Sequence, residues 1–316
     1  MLAVRDIEKS FGDTHAVRGV SFDVPKGEIF GIVGPDGAGK STLLRIIAST
    51  LEPDSGTISI GGVSLASAMF KAREKIAYMP QRFGLYEDLT VEENIRFFGS
   101  LFGADDDEIR KRSVRLYEFS RLEPFKDRLA GKLSGGMKQK LGLACCLIHT
   151  PELIILDEPT NGVDPVSRRE FWMILYDLLA EGVSIVVSTA YLDEAERCNR
   201  VALMNAGEFM TVDTPHAIKE SIGREFIVIE SPEARRIETI AAETLRGSHS
   251  TRSGNSVRIF AQGKQTALLA SLRKALASEK IHPDSLRAAL PSLEDCFNEY
   301  IRREDARKSV SARREK

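Results

Sequence analysis

The sequence predicts an α/β fold: a mostly parallel sheet with crossover helices, followed by a smaller α/β domain. Three observations carry this. Strand-sized apolar runs alternate with helical stretches up to about residue 215, the pattern of a parallel sheet covered by helices. The stretch Gly34-Pro35-Asp36-Gly37-Ala38-Gly39-Lys40-Ser41-Thr42 lies between the apolar run Ile29 to Val33 and the helical run Leu43-Leu44-Arg45-Ile46-Ile47. Strand, glycine-rich loop, Lys-Ser and helix is the order a phosphate-binding loop requires. After Thr214-Pro215 the texture changes, and residues 216–302 are long enough for a second small domain.

Leu2 to Ile7 and Ala16 to Val24 read as paired strands around Phe11-Gly12-Asp13, closed by Pro25-Lys26-Gly27. Thr57 to Ile60 reads as a short strand, and Ile76 to Gln81 as another that ends in a glutamine. From about Phe83 to His149 the reading is helical. Thr90-Val91-Glu92-Glu93 is a capping pattern, and the acidic run Asp105 to Glu108 suits a helix start before Arg110-Lys111-Arg112. Leu133-Ser134-Gly135-Gly136-Met137 opens an apolar helix that Pro151 stops. Ser134 is a good N-cap, and the two glycines leave the first turn open to an anion. Leu153 to Leu156 suits a central parallel strand, with Asp157 and Glu158 at its C-terminal end, where open α/β sheets put their ligands. A helix from Pro165 to Leu179, a strand from Val183 to Ser188 and a hairpin around Ala206-Gly207 complete the first domain. In the second, Phe226 to Ile229 and Val257 to Phe260 read as strands. Ala234 to Leu245, Gln265 to Glu279 and Leu293 to Arg302 read as helices, and Gly247 to Gly254 as a polar loop. Residues 303–316 are charged and nearly free of apolar side chains, so a disordered tail is expected.

Composition narrows the function classes. Hydrophobic residues make up 42% and charged residues 28%, which suits an ordinary globular protein. A net charge of −2 gives no basic excess, so no nucleic-acid partner is expected. Cys145, Cys146, Cys198 and Cys296 have neither CxxC nor metal-ligand spacing and read as reduced, buried thiols of a cytosolic protein. Met1-Leu2-Ala3-Val4 meets Arg5-Asp6 at once, so no leader is expected. No apolar run approaches the ~18 residues of a membrane span, so any membrane role runs through a partner.

The phosphate loop sets the chemistry. Its glycines let backbone N–H groups approach phosphate closely, and the following helix start adds partial positive charge. Lys40 is expected to neutralise β- and γ-phosphate oxygens, and Ser41 to offer its hydroxyl to Mg²⁺. With ATP on that loop, Asp157 holds Mg²⁺ opposite Ser41, and Glu158 polarises the attacking water as general base. Gln81 either touches Mg²⁺ or the water, or is a simple turn residue. Phe11 either stacks on adenine or packs on the core. Asp164, in Asn161-Gly162-Val163-Asp164-Pro165, is an N-cap or an interface acid.

Gly34 to Thr42, Gln81, Leu133 to Met137, Leu153 to Glu158 and Asp164 occur in the order of an ABC-type ATPase, and the Ser-Gly-Gly motif discriminates it from other phosphate-loop ATPases. Over about 215 residues the chain resembles the nucleotide-binding subunit of an ABC transporter. Tyr78 to Gln81, Tyr191-Leu192-Asp193-Glu194-Ala195-Glu196 and Pro291 to Asp295 are similar to ABC-2 type exporters of the daunorubicin-resistance kind. The resemblance implies an ABC ATPase domain at 1–215: a mostly parallel sheet, an antiparallel β subdomain and an inserted helical subdomain at about 83–150. It also implies a head-to-tail dimer, with ATP between one phosphate loop and the Ser134, Gly135, Gly136 and Met137 signature of the other chain. Asp164 then lies at the dimer interface, and the loop after Gln81 signals to a membrane permease. The protein is expected in the cytoplasm, at the inner face of the plasma membrane through that permease.

Two departures qualify this. The resemblance implies a histidine after Ser188-Thr189, donating to the γ-phosphate, but the chain has Ala190. Asp36 stands where Asn is common. The leading expectation is the ATP-driven motor of an exporter. One alternative is a nucleotide-gated subunit with little turnover of its own that completes the site of a second ATPase. Another is a soluble ABC ATPase unlinked to transport, which usually carries paired cassettes or long coiled-coil insertions.

Overall fold

The computed structural model describes residues 1–314, which divide into two compact units at Pro215 and His216. The first opens with β1 (Leu2–Phe11) and β2 (Thr14–Val24), an antiparallel hairpin that pairs Leu2 with Val24 and Val4 with Phe22. Next is β3 (Ile29–Val33), buried at every position. Then come α1 (Lys40–Ile47), β4 (Ser55–Ile60), β5 (Val63–Ser64), α2 (Met69–Arg73) and β6 (Ile76–Met79). β4 joins the hairpin in an antiparallel sheet of order β2-β1-β4-β5.

A helical layer follows: α3 (Val91–Leu101), α4 (Asp106–Ser120) and α5 (Gly135–Leu147). Local sequence fixes where these helices start. Thr90 Oγ1 accepts from the Glu93 N–H at 3.1 Å, while Glu93 Oε2 accepts from the Thr90 N–H at 2.8 Å, a reciprocal capping box. Asp105 caps α4 by accepting from the Glu108 N–H at 2.8 Å. The unit is completed by β7 (Leu153–Asp157), α6 (Pro165–Ala180), β8 (Ser184–Thr189), α7 (Leu192–Ala195), β9 (Arg200–Asn205) and β10 (Glu208–Asp213).

The second sheet has the order β10-β9-β3-β8-β7-β6 and is parallel except at the β10 edge. β3, β8 and β7 lie inside it, which is why they read as unbroken apolar runs rather than alternating ones. One core joins the two sheets: Val4 and Ile7 of β1, Leu43, Leu44 and Ile47 of α1, and Ile155 and Val186 of β7 and β8. Phe22 and Phe30 stack within it, with ring centroids 4.8 Å apart. α1 packs against β2, β7 and β8, so its N-terminus is held beside the C-terminal ends of β3 and β7.

The second unit begins within α8 (Pro215–Ser221) and continues β11 (Glu225–Glu230), α9 (Ala234–Thr244), β12 (His249–Ser253), β13 (Ser256–Ala261), α10 (Gln265–Ser278), β14 (Ser285–Ala289) and α11 (Leu293–Arg314). Strands and helices follow the ferredoxin-like β-α-β-β-α-β order, in an antiparallel sheet β12-β13-β11-β14. Ile227, Ile229, Val257 and Ile259 face Ile237 and Ala241 of α9 and Leu268, Leu272 and Leu276 of α10. The stretch 247–254, expected as a polar loop, contains β12, whose Ser250 and Thr251 pair with Ile259 and Arg258. It is an edge strand with largely exposed side chains, so no apolar alternation marks it, and backbone pairing alone makes it a strand. The helix expected to stop at Arg302 runs to Arg314, through the stretch expected as a disordered tail; residues 315 and 316 lie outside the described residues. Among the described residues no helix is long and apolar enough to cross a membrane.

Candidate functional site

The loop Gly34 to Gly39 leaves the end of β3 and turns into α1. Gly39 is the helix cap, at φ 103°, and a Cβ there would lie 2.2 Å from the Ala16 carbonyl oxygen. Only glycine fits, and the close approach seats the loop against β2. The first-turn N–H groups of α1 are the orphan donors that any helix start carries. Lys40 begins that helix and is 4% exposed. Its Nζ donates to the carbonyls of Gly34 (2.8 Å) and Pro35 (3.0 Å) and lies 3.2 Å from Glu158 Oε1.

Strand β7 brings the two carboxylates alongside. Asp157 Oδ1 accepts from Ser41 Oγ at 3.0 Å and from Ser188 Oγ at 2.7 Å. Glu158 Oε2 accepts from Gln81 Nε2 at 3.0 Å and from Asn161 Nδ2 at 3.2 Å. Asp157 and Glu158 are 3% and 7% exposed, so their interactions are poorly screened by water. Burial, with the Asp157 charge adding to it, pushes the nearby Tyr78 phenol up to about 12. The Ser41 hydroxyl and the Asp157 carboxylate together form the hard oxygen set that suits Mg²⁺. Glu158 itself adopts φ 47°, left-handed backbone for a residue with a Cβ. Its N–H donates to the Ser188 carbonyl (3.2 Å) and to Ser188 Oγ (3.0 Å), which hold it there. Strained backbone of this kind costs on the order of 1–3 kcal/mol and collects at functional sites.

Asp36, Gly37, Gly39, Lys40, Ser41, Thr42, Gln81 and Glu158 line one open cavity of about 760 Å³. Pro35 and Ala38 shape the loop, with the Ala38 N–H donating to the Pro35 carbonyl at 3.2 Å. The far wall consists of Asp13, Thr14, His15, Ala16 and Arg18. Phe11 is not among the lining residues: it is 50% exposed at the end of β1, with Lys9 Nζ 5.7 Å from its ring centroid.

The Ser-Gly-Gly motif sits elsewhere, at the start of α5, and does not line that cavity. Ser134 Oγ accepts from the Met137 N–H at 3.3 Å. The glycines differ in role: a Cβ at Gly136 would lie 2.4 Å from Ser167 Cβ, whereas one at Gly135 would meet nothing within 4 Å. Gly136 therefore lets α5 approach α6, and Gly135 leaves the helix start open. Asp164 caps α6, accepting from the N–H groups of Val166 (3.1 Å) and Ser167 (3.0 Å). The Ser167 N–H bond leads in holding its carboxyl below the usual carboxylate value.

Sequence reasoning gave no role to Asn161, Ser188 or Glu194. Glu194 is fully buried and accepts from Thr160 Oγ1 (2.6 Å) and Thr189 Oγ1 (2.9 Å), tying the segment after β7 to the end of β8. Polar residues closing the apolar runs of β7 and β8 were the available signal; which of them face Glu158 is set by strand neighbours distant in sequence.

A profile of the ABC transporter family matches residues 17–161. Nod factor export ATP-binding protein I of Ralstonia nicotianae is 34% identical over 306 residues, 96% of this chain and 94% of that protein. The chain belongs to the ABC transporter ATP-binding family. A probable multidrug ABC transporter ATP-binding protein of Escherichia coli K12 is 41% identical over 305 residues, 95% of this chain but 52% of that protein. The chain thus spans about half the length of the latter relative. Among solved structures, an ATP-binding subunit of an ABC transporter is 33% identical, with a TM-score of 0.64 over 71% of this chain and 93% of that one. A dimeric ATP-binding cassette in a post-hydrolysis state with ADP and Pi is 27% identical, with a TM-score of 0.62 over 68% of this chain and 98% of that one. The fold of the first unit is that of the ABC ATPase cassettes, with the phosphate loop and Glu158 lining one cavity and Asp157 hydrogen-bonded to Ser41 behind it.

Proposed function

We propose that this chain is the ATP-hydrolysing motor of an exporter, working with a separate membrane permease. The observation that carries the reading is the convergence of Lys40, Ser41, Gln81 and Glu158, from separate segments, on one cavity, with Asp157 bonded to Ser41. Loop N–H groups and Lys40 bind the phosphates. Ser41 and Asp157 would hold Mg²⁺, with Gln81 beside them, and the bound ion would supply charge neutralisation to the phosphates. Glu158 accepts a proton from the attacking water. Export is the activity named for the Nod factor relative, and it supports the same role here. The chain then lies in the cytoplasm, at the inner face of the plasma membrane through its permease.

The site is half of a larger one. Ser134, Gly135 and Gly136 lie outside the cavity of their own chain, which supports their use against ATP held by a second ATPase domain. Asp164 then faces that partner. Glu158→Gln should cut turnover by about 10² or more and accumulate an ATP-bound dimer visible by size-exclusion chromatography. A variant that stays monomeric with ATP sinks the paired site, and one that keeps full turnover sinks the base.

Ala190 favours a second reading, a nucleotide-gated subunit that turns over slowly. With Asp36, Glu158, Thr160, Asn161, Thr189 and Tyr191 it lines a recess of about 150 Å³, and its methyl group donates no hydrogen bond. One lost donor to a developing charge costs on the order of 10²–10³ in rate. Ala190→His should raise the ATPase rate of the isolated chain; no rise counts against a missing donor.

A further inference from the structure

We infer that Asn161 is a positioning residue for Glu158, holding one carboxylate oxygen while the other is freed for water. The inference rests on the reading of Glu158 as general base.

The two oxygens of Glu158 have different partners. Oε1 faces Lys40 Nζ at 3.2 Å. Oε2 takes two neutral amide donors, Gln81 Nε2 at 3.0 Å and Asn161 Nδ2 at 3.2 Å. A carboxylate serves as a base through an oxygen with a lone pair left to reach the water's proton. Lys40 is the phosphate cation of the same cavity, so its attraction for Oε1 weakens once it is shared with phosphate. Gln81 is exposed and stands beyond the end of β6, outside the sheet that holds Glu158. Asn161 differs from both in how it is held.

Asn161 is bound to Glu158 through the backbone as well: its N–H donates to the Glu158 carbonyl at 3.1 Å, and Gly162 follows at φ 71°. Backbone and side chain of Asn161 therefore clamp the same residue, which itself sits at φ 47°. Behind Asn161, Tyr191 Oη donates to its Oδ1 at 3.5 Å, a long bond that favours the rotamer with Nδ2 toward Glu158. The Tyr191 ring lies under Arg168, whose Cζ is 4.2 Å from the ring centroid, and Arg168 Nε is 3.4 Å from buried Glu194. The donor on Oε2 is thus backed by α6 and α7, and the carboxylate keeps its plane when Lys40 and Gln81 turn to the substrate.

The test compares Asn161→Leu, which keeps a side chain of similar length without a donor or a charge, with Asn161→Gln, which keeps an amide. Both are made in the full chain, with ATP affinity measured by equilibrium binding and kcat and KM by phosphate release. A charge-assisted hydrogen bond of this kind corresponds to about tenfold in rate. Asn161→Leu should lower kcat by about tenfold or more, lower ATP affinity by much less than that, and recover in part in Asn161→Gln. A kcat unchanged in Asn161→Leu, or an affinity loss matching the fall in kcat/KM, overturns the positioning role. Glu158→Gln is run alongside. Full turnover there overturns the base reading and this inference with it, whereas a slow Glu158→Gln with an unaffected Asn161→Leu overturns the inference alone.

Discussion

Glu158 carries the densest set of interactions in the site, and its surroundings make Lys40 structural as well as chemical. The Lys40–Glu158 pair is buried, with side chains 4% and 8% exposed, and Lys40 also satisfies two loop carbonyls. Removing one member of a buried pair leaves the other charged and uncompensated, at a cost of about 3–5 kcal/mol. Because Gln81 and Asn161 still donate to Glu158, Lys40→Met should fall near the lower end, about 3 kcal/mol by urea unfolding without nucleotide. Adding Glu158→Gln removes the orphaned charge and should restore much of that stability. If the double variant is no more stable than the single one, the pair is not what Lys40 stabilises.

At the scale of elements, α5 works at both ends. Its N-terminus carries the two glycines. Gly136→Ala pushes a Cβ into Ser167 and should cost about 1–3 kcal/mol. Gly135→Ala meets nothing and should stay within about 0.5 kcal/mol, while lowering turnover if the helix start meets a partner's phosphate. Equal losses in chemical denaturation would remove the distinction. Just beyond the C-terminus, His149 stacks on Phe102 with centroids 4.1 Å apart, and its Nε2 lies 2.9 Å from the Ile76 carbonyl, which joins the helical layer to β6. Burial leads in pushing this imidazole below its ordinary 6.5, and the Arg112 charge adds to it. As pH falls below about 6.5 the unfolded chain takes up the proton first. The stability is therefore present above that value and is lost as pH falls through the lower folded value. Thermal melts from pH 7.5 to 5 should show the loss, and His149→Gln, which keeps a donor for Ile76, should flatten it. An unchanged acid slope in that variant would assign the effect to other groups.

For the molecule as a whole, each unit has its own core, one built on α1 between two sheets and one under α9 and α10. A chain ending at Pro215 should therefore melt cooperatively and still bind ATP, and a fragment from His216 onward should fold alone. Circular dichroism of both fragments checks this; a molten second fragment would make the division one of shape only. The legibility of the fold followed the same division. In the first unit, buried parallel strands such as Leu153 to Leu156 and capped helices such as the one after Thr90 carry strong local signals. In the second, β12 carries no apolar alternation, because an edge strand owes its state to the backbone of β13 rather than to its own side chains. The helix from Leu293 continues to Arg314 through a charged stretch, and charge alone does not distinguish a solvated helix from a tail.

Local sequence is enough to establish that a phosphate loop follows β3, that Asp157 and Glu158 lie at the end of β7, and that a Ser-Gly-Gly helix start lies between them. These are local matters: φ preferences, capping chemistry and the apolar period of a buried strand. Which oxygens meet which donors depends on the packing of strands and helices. Strand order sets Ser188 of β8 against Asp157 of β7 and brings Gln81 and Asn161 together on one oxygen of Glu158. It also set Phe11 outside the cavity lining. Gln81 is 77 residues from Glu158 and Ser188 is 31 from Asp157, yet each pair meets at hydrogen-bond distance, whereas Asn161 reaches Glu158 from three residues away. The packing of β6, β7, β8 and α1 establishes that proximity, and no local pattern encodes it.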